Sequence, residues 1–203
     1  MDHLLTGDEH IMFDGMTINH PLGDFWAWSS SDLLNNTLRG AFAEFIVSSA
    51  LGVNMDTPRK DWEAYDVSYS LDCKSSIRIE VKSAAYIQAW ENKKLSRIQF
   101  SIRPTRSWSS VGGYDDEVKR QSDVYVFCVY TCKDRASADP LKLDDWEFYV
   151  LPTSVLSARC SDQQSISLRA LKELHPAKVA YDGIEYAVIE AYRTPIITPR
   201  TPI

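Results

Sequence analysis

Ile77-Arg78-Ile79-Glu80-Val81-Lys82-Ser83 is the stretch whose reading decides the fold. Ile77, Ile79 and Val81 alternate with Arg78, Glu80 and Lys82, so it reads as a strand with one apolar and one ionised face. Glu80 and Lys82 leave on the same side, roughly 7 Å apart at about 3.3 Å per residue. An acid and an ammonium so placed form either a plain surface ion pair or half of a metal-dependent phosphodiesterase site. The flanking sequence chooses between the two.

Upstream, Tyr65, Val67 and Tyr69 alternate with Ala64, Asp66 and Ser68 within residues 62–70, the pattern of a second strand. Residues 71–75 turn the chain, so the pair forms a hairpin in which Asp66 can face the same side as Glu80. Before it, the cap cluster Ser29-Ser30-Ser31-Asp32 precedes Leu34, Leu38, Phe42, Phe45 and Ile46 at three-to-four spacing. Gly52 stands where a left-handed stop is expected, which gives a helix over residues 32–51. Glu44 lies off its apolar stripe, among Gly40, Ala41 and Ala43, where a ligand or another backbone has room to approach; the plain alternative is a solvated helix glutamate. Residues 1–30 read as a loosely structured lead-in whose aromatic end, Phe25-Trp26-Ala27-Trp28, packs on the core.

Downstream, Tyr86, Gln88 and Trp90 continue at period two until Asn92-Lys93-Lys94 breaks the pattern. Gln88 is placed to hold a water or a phosphate, and Trp90 to stack on a base; an edge-strand continuation with Trp90 in the core is the equal alternative. Ile98, Phe100 and Ile102 alternate in another strand, residues 104–120 read as loop, and residues 123–130 form the most apolar run, a central strand. Residues 146–151 give the next strand, ended by Pro152. Short helices follow near residues 152–159 and 165–174, residues 184–191 fit helix or strand, and residues 194–203 read as a disordered Thr-Pro tail. Lys93, Lys94, Arg97, Arg103 and Arg106 line a backbone-tracking groove or are ordinary surface.

The 203 residues suffice for one domain, residues 31–193, between lead-in and tail. A hydrophobic content of 44% and a charged content of 25% are those of a soluble globular protein, and no apolar run reaches the ~20 residues of a membrane span. With no basic head and apolar stretch at the N-terminus, the expected location is cytoplasmic. Cys73, Cys128, Cys132 and Cys160 are irregularly spaced, which predicts reduced structural thiols rather than a zinc site. No His is placed as an HNH-type nuclease requires. The net charge of −6 excludes a general phosphate-binding coat but not a local basic groove.

Glu44 on a helix, Asp66 on a strand and Glu80-Val81-Lys82 on the next form the order of elements of the PD-(D/E)XK nuclease superfamily, which residues 32–151 resemble. The resemblance implies an α/β fold with a restriction-endonuclease-like core, a mixed central sheet flanked by helices. It implies Asp66, Glu80 and the Val81 carbonyl as ligands of Mg²⁺ (Mn²⁺ can substitute), Lys82 as the catalytic lysine and Glu44 as the auxiliary helix acid. Tyr65 stands where the family's proline often does, and Asn92, four residues after Gln88, departs from the glutamine-tyrosine motif of RecB-like members.

The chemistry fits these residue types. Phosphodiester hydrolysis needs an activated water and neutralised phosphate charge, and Mg²⁺ keeps several waters while taking few carboxylates. An ammonium on the same strand orients the water and balances the growing negative charge. The expectation is therefore a stand-alone Mg²⁺-dependent endonuclease of defence, repair or mobile-element type, acting on DNA rather than RNA, with no membrane partner. A homodimer is expected where both strands are cut. The rivals are a catalytically inactive nuclease-fold module that binds nucleic acid or a protein, and a structural protein in which Glu80–Lys82 is an ion pair worth at most about 1 kcal/mol.

Overall fold

The computed structural model describes residues 3–60, 63–90, 94–109 and 113–194. In chain order the elements are β1 (His10–Phe13), β2 (Met16–Pro21), α1 (Leu22–Ser30), α2 (Asn36–Ala50), β3 (Val67–Ser70), β4 (Ser76–Ala85), β5 (Gln99–Ser101), β6 (Thr105–Ser109), β7 (Gly113–Lys119), β8 (Val124–Tyr130), β9 (Trp146–Pro152), α3 (Thr153–Arg159), β10 (Ser165–Ser167), α4 (Leu168–Glu173), β11 (Ala177–Val179) and α5 (Ile184–Arg193). The fold is α/β, with a five-stranded sheet in the order β11-β9-β8-β4-β3. β4 and β8 run parallel and the other pairs antiparallel, so the sheet is mixed.

β8 is the spine of this sheet. All seven of its residues are buried, as the apolar run predicts for a strand covered on both faces. One face packs on Ile46 and Val47 of α2 and on Ile184 and Val188 of α5, meeting Ile77, Ile79 and Val81 of β4. The other carries Tyr125, Phe127 and Val129 of β8 under Phe100 of β5, Ile166 of β10, Leu156 of α3 and Leu171 of α4. Each such aliphatic side chain, fully buried, contributes about 1.5–3 kcal/mol.

α2 ends where the sequence predicts, with Gly52 at φ 62° and the Gly52 N–H donating to the Ser49 carbonyl at 3.1 Å. Its start is four residues later than expected. Asn35 is the cap, accepting from the Thr37 and Leu38 N–H groups. The Ser31 hydroxyl instead closes α1 on the Ala27 carbonyl at 2.6 Å, and the Asp32 carboxylate takes the Leu34 N–H at 3.1 Å.

Three other expectations change. Residues 10–30 are not loosely structured: they form the β1–β2 hairpin and α1, in which no residue is buried. Within residues 104–120 lies the β6–β7 ribbon, hidden in sequence because a two-stranded ribbon off the main sheet needs no apolar alternation. Strand β4 stops at Ala85 rather than continuing to Trp90, because Arg135 takes the Gln88 and Ala89 carbonyls that a neighbouring strand would have used. Residues 184–193 are helical, all four cysteines are free, and among the described residues no helix is long and apolar enough to cross a membrane. The Thr-Pro tail beyond residue 194, Trp62 and residues 91–93 lie outside the described residues.

Candidate active site

The hairpin register builds the site. Val67 pairs with Ile79, so the residue before β3, Asp66, lies across from Glu80. The Asp66 N–H donates to the Ile79 carbonyl at 3.0 Å, and its Oδ2 accepts the Val81 N–H at 2.7 Å. The carboxylate thus caps the first β4 amide beyond the end of the edge strand. A residue's N–H and C=O leave an extended strand on the same side, so the Val81 carbonyl is directed toward Asp66 as well.

Glu80 and Lys82 project from the opposite face to Ile79 and Val81, ahead of Ala84, where the apolar cover of that face begins. Lys82 Nζ lies 2.5 Å from Glu80 Oε1, with side chains 29% and 19% exposed respectively. Asp66 keeps solvent-accessible surface as a residue, yet protein crowds its carboxyl and raises its pKa. Desolvation is the largest cause and the Glu80 charge the second, while Lys82, the Val81 N–H and Arg59 oppose the rise. Asp66, Glu80 and Lys82 therefore act on one another electrostatically.

Glu80 and Lys82 line a cavity of about 660 Å³ with Ser101, Arg103, Pro104, Thr105, Arg106, Val118 and Tyr125. Two buried side chains fix the far wall. Arg120 donates to the Ile102 and Cys160 carbonyls at 2.9 and 2.7 Å, and Gln121 Nε2 donates to the Thr105 carbonyl at 2.8 Å. Tyr125 was not legible as a site residue, because it sits inside the apolar run. The signal is its register, Glu80↔Tyr125 across the parallel pair. Its phenol pKa is raised by burial and then by the Glu80 charge.

The other two candidates lie outside the Glu80–Lys82 cleft. Glu44, on α2, holds Arg59 through both carboxylate oxygens at 2.5 and 2.8 Å. It shares with Arg59 and Asp66 a second cavity of about 630 Å³ at the β3 edge. Gln88 is buried and turns toward α2: its Oε1 accepts from Arg39 at 3.3 Å, and its Nε2 donates to the Ala85 carbonyl at 3.0 Å. Neither of its hydrogen bonds reaches Glu80 or Lys82. Among the described residues no three His, Cys, Asp or Glu side chains gather in one group, so the acids here are a pair.

An α/β sheet presenting a carboxylate, a lysine and two arginines at one cleft, with a second carboxylate across the hairpin at the sheet edge, is equipped to handle phosphate esters. The family model of bacteriophage T4 endonuclease IV matches residues 17–170, and the chain belongs to that family. The matched span takes in Glu44, Asp66, Glu80, Lys82, Arg103, Arg106 and Tyr125. No curated protein and no solved structure matches the chain.

Proposed function

We propose that this protein is a divalent-metal-dependent endonuclease that hydrolyses phosphodiester bonds of DNA, working with the residue set of the PD-(D/E)XK nucleases. The observation that carries this reading is the Glu80–Lys82 pair at a cleft walled by Arg103 and Arg106, with the Asp66 carboxyl, across the hairpin at the β3 edge, feeling the Glu80 charge. The family's name, that of an endonuclease, supports it.

The residues fit a hard cation. The Glu80 charge raises the proton affinity of Asp66, a strain that a dication relieves, and Asp66 Oδ1 accepts no hydrogen bond among the described residues. Asp66, Glu80 and the Val81 carbonyl would hold Mg²⁺, or Mn²⁺ in its place, which supplies charge neutralisation and a more acidic water when bound. Lys82 donates hydrogen bonds that orient the attacking water and balance the charge growing on phosphorus-bound oxygen. Arg103 and Arg106 bind the phosphate oxygens and keep the diester in the cleft. The water oxygen forms the new bond to phosphorus, a P–O bond to sugar breaks, and the leaving oxygen takes up a proton. Glu44 acts at one remove, holding Arg59 beside Asp66.

The test is DNA cleavage by the purified protein with Mg²⁺ and with EDTA. The reading requires cleavage that EDTA abolishes and that Asp66→Ala and Lys82→Ala lack. A protein that binds DNA but never cuts it would be the inactive module instead.

A further inference from the structure

Charge is segregated along this chain. Residues 1–38 contain acids but no lysine or arginine, whereas residues 92–114 contain Lys93, Lys94, Arg97, Arg103 and Arg106 and no acid. In a protein of net charge −6 the second stretch runs against the average. The structure gives it a shape. Around β5, exposure alternates strictly: Arg97, Gln99, Ser101 and Arg103 face solvent while Ile98, Phe100 and Ile102 are buried. The outward side of this segment is thus a polar row about 20 Å long, six residues at about 3.3 Å each. One end is in the cleft of Glu80 and Lys82, and the other is in a groove of about 720 Å³ lined by Arg97, Tyr86 and Lys172. The Ser96 N–H, donating to the Tyr86 carbonyl at 2.8 Å, ties that far end to the end of β4.

The cations of this row are also unpaired. Several surface cations elsewhere hold carboxylates, as in Arg59–Glu44, Arg78–Asp123, Lys178–Glu147 and Arg193–Glu190, while others such as Lys74 and Arg159 hold none among the described residues. The side chains of Lys94, Arg97, Arg103 and Arg106 make no ion pair or hydrogen bond among the described residues. Cations left in line with no internal counter-charge suit a ligand that brings its own row of anions.

We propose that the outward side of β5 is a track for the sugar-phosphate backbone of a nucleic acid, running from the cleft at Arg103 and Arg106 to the groove at Arg97. This rests on the nuclease reading for its direction away from the cleft, and it assigns Arg97, about 20 Å along the segment from Arg103, and Lys94 beyond it as positioning residues. Only a substrate long enough to reach Arg97 gains from the far end.

The test is binding of fluorescent oligonucleotides in EDTA, followed by anisotropy across a salt series, with probes of about 4 and about 16 nucleotides. The wild-type protein binds the long probe more tightly. In Arg97→Gln that advantage shrinks by about 3–10-fold, and the slope of log affinity against log salt falls by about 0.7–0.9, the loss of one phosphate contact. Arg193→Gln, whose cation lies outside the track, keeps the wild-type slope. An Arg97→Gln variant with wild-type length dependence and slope overturns the track, even if the protein cleaves DNA. An Arg97-dependent slope in a protein that never cleaves leaves the track standing and removes the nuclease reading.

Discussion

Two polar clusters stand on opposite faces of β4 and are built on different terms. Behind the strand, Arg39 is buried, and its four hydrogen bonds go to neutral acceptors: Ser83 Oγ at 3.2 Å, the Leu34 carbonyl at 3.0 Å, Gln88 Oε1 at 3.3 Å and Asn36 Oδ1 at 2.7 Å. Its charge has no carboxylate partner among the described residues, and burial pulls its pKa below the usual arginine value. In front, the charge of Glu80 acts on Asp66 across the hairpin, and Lys82 pairs with Glu80. The rear cluster is satisfied by the protein itself, so its role is to join α2 to the sheet. The front cluster is left in mutual opposition, which is the state a cation and a phosphate would relieve.

The largest effects should come from the front. Asp66→Ala or Glu80→Ala should reduce Mg²⁺-dependent cleavage to background in initial-rate assays while leaving the circular dichroism unchanged. Lys82→Ala should lower kcat by about 10²–10³-fold, the usual cost of one preorganised donor. Behind the strand the readout changes from rate to stability. Arg39→Ala strands four acceptors and opens a void, at a cost of about 3 kcal/mol, which lowers Tm by about 6–12 °C. Gln88→Ala should cost about 1–2 kcal/mol and leave the rate of the folded protein within about threefold. A hundredfold loss of rate in Gln88→Ala with an unchanged Tm would erase the distinction between the clusters.

A smaller effect concerns Asp66 and pH. Its raised folded-state pKa means that the folded protein holds this proton more tightly than the unfolded chain. That contribution to stability is full below the unfolded pKa and is lost as pH rises through the folded one. In EDTA, Asp66→Asn should therefore melt higher than wild type at neutral pH, with the gap closing as the pH falls below the carboxylate range. Thermal melts at several pH values check this.

How much was legible follows from the same contrast. Alternation in Ile77–Ser83 gives that strand and puts Glu80 and Lys82 on one side, whereas the strand expected over residues 62–70 begins only at Val67, and Asp66 comes across from Glu80 through the hairpin register. The run at 123–130 gave the central strand for the same reason. Gln88 followed Lys82 at an even offset, and period-two reasoning carried it to the front. The chain bends after Ala85, however, and an arginine from α2, distant in sequence, claims its amide. Tyr125 stayed hidden because an apolar run does not say which strand lies beside it. The hairpin and helix of residues 10–30 escaped because no residue of either is fully buried, so no stripe or alternation marks them.

As an endonuclease of the proposed kind, the protein must hold one divalent cation between Asp66 and Glu80. Titration of Mn²⁺ into the metal-free protein by calorimetry measures this directly. One site in the wild-type protein, lost in both Asp66→Asn and Glu80→Gln while Gln88→Ala retains it, is the expected result. Equal Mn²⁺ binding in the wild-type and both carboxylate variants, or no binding in any of them, would contradict it.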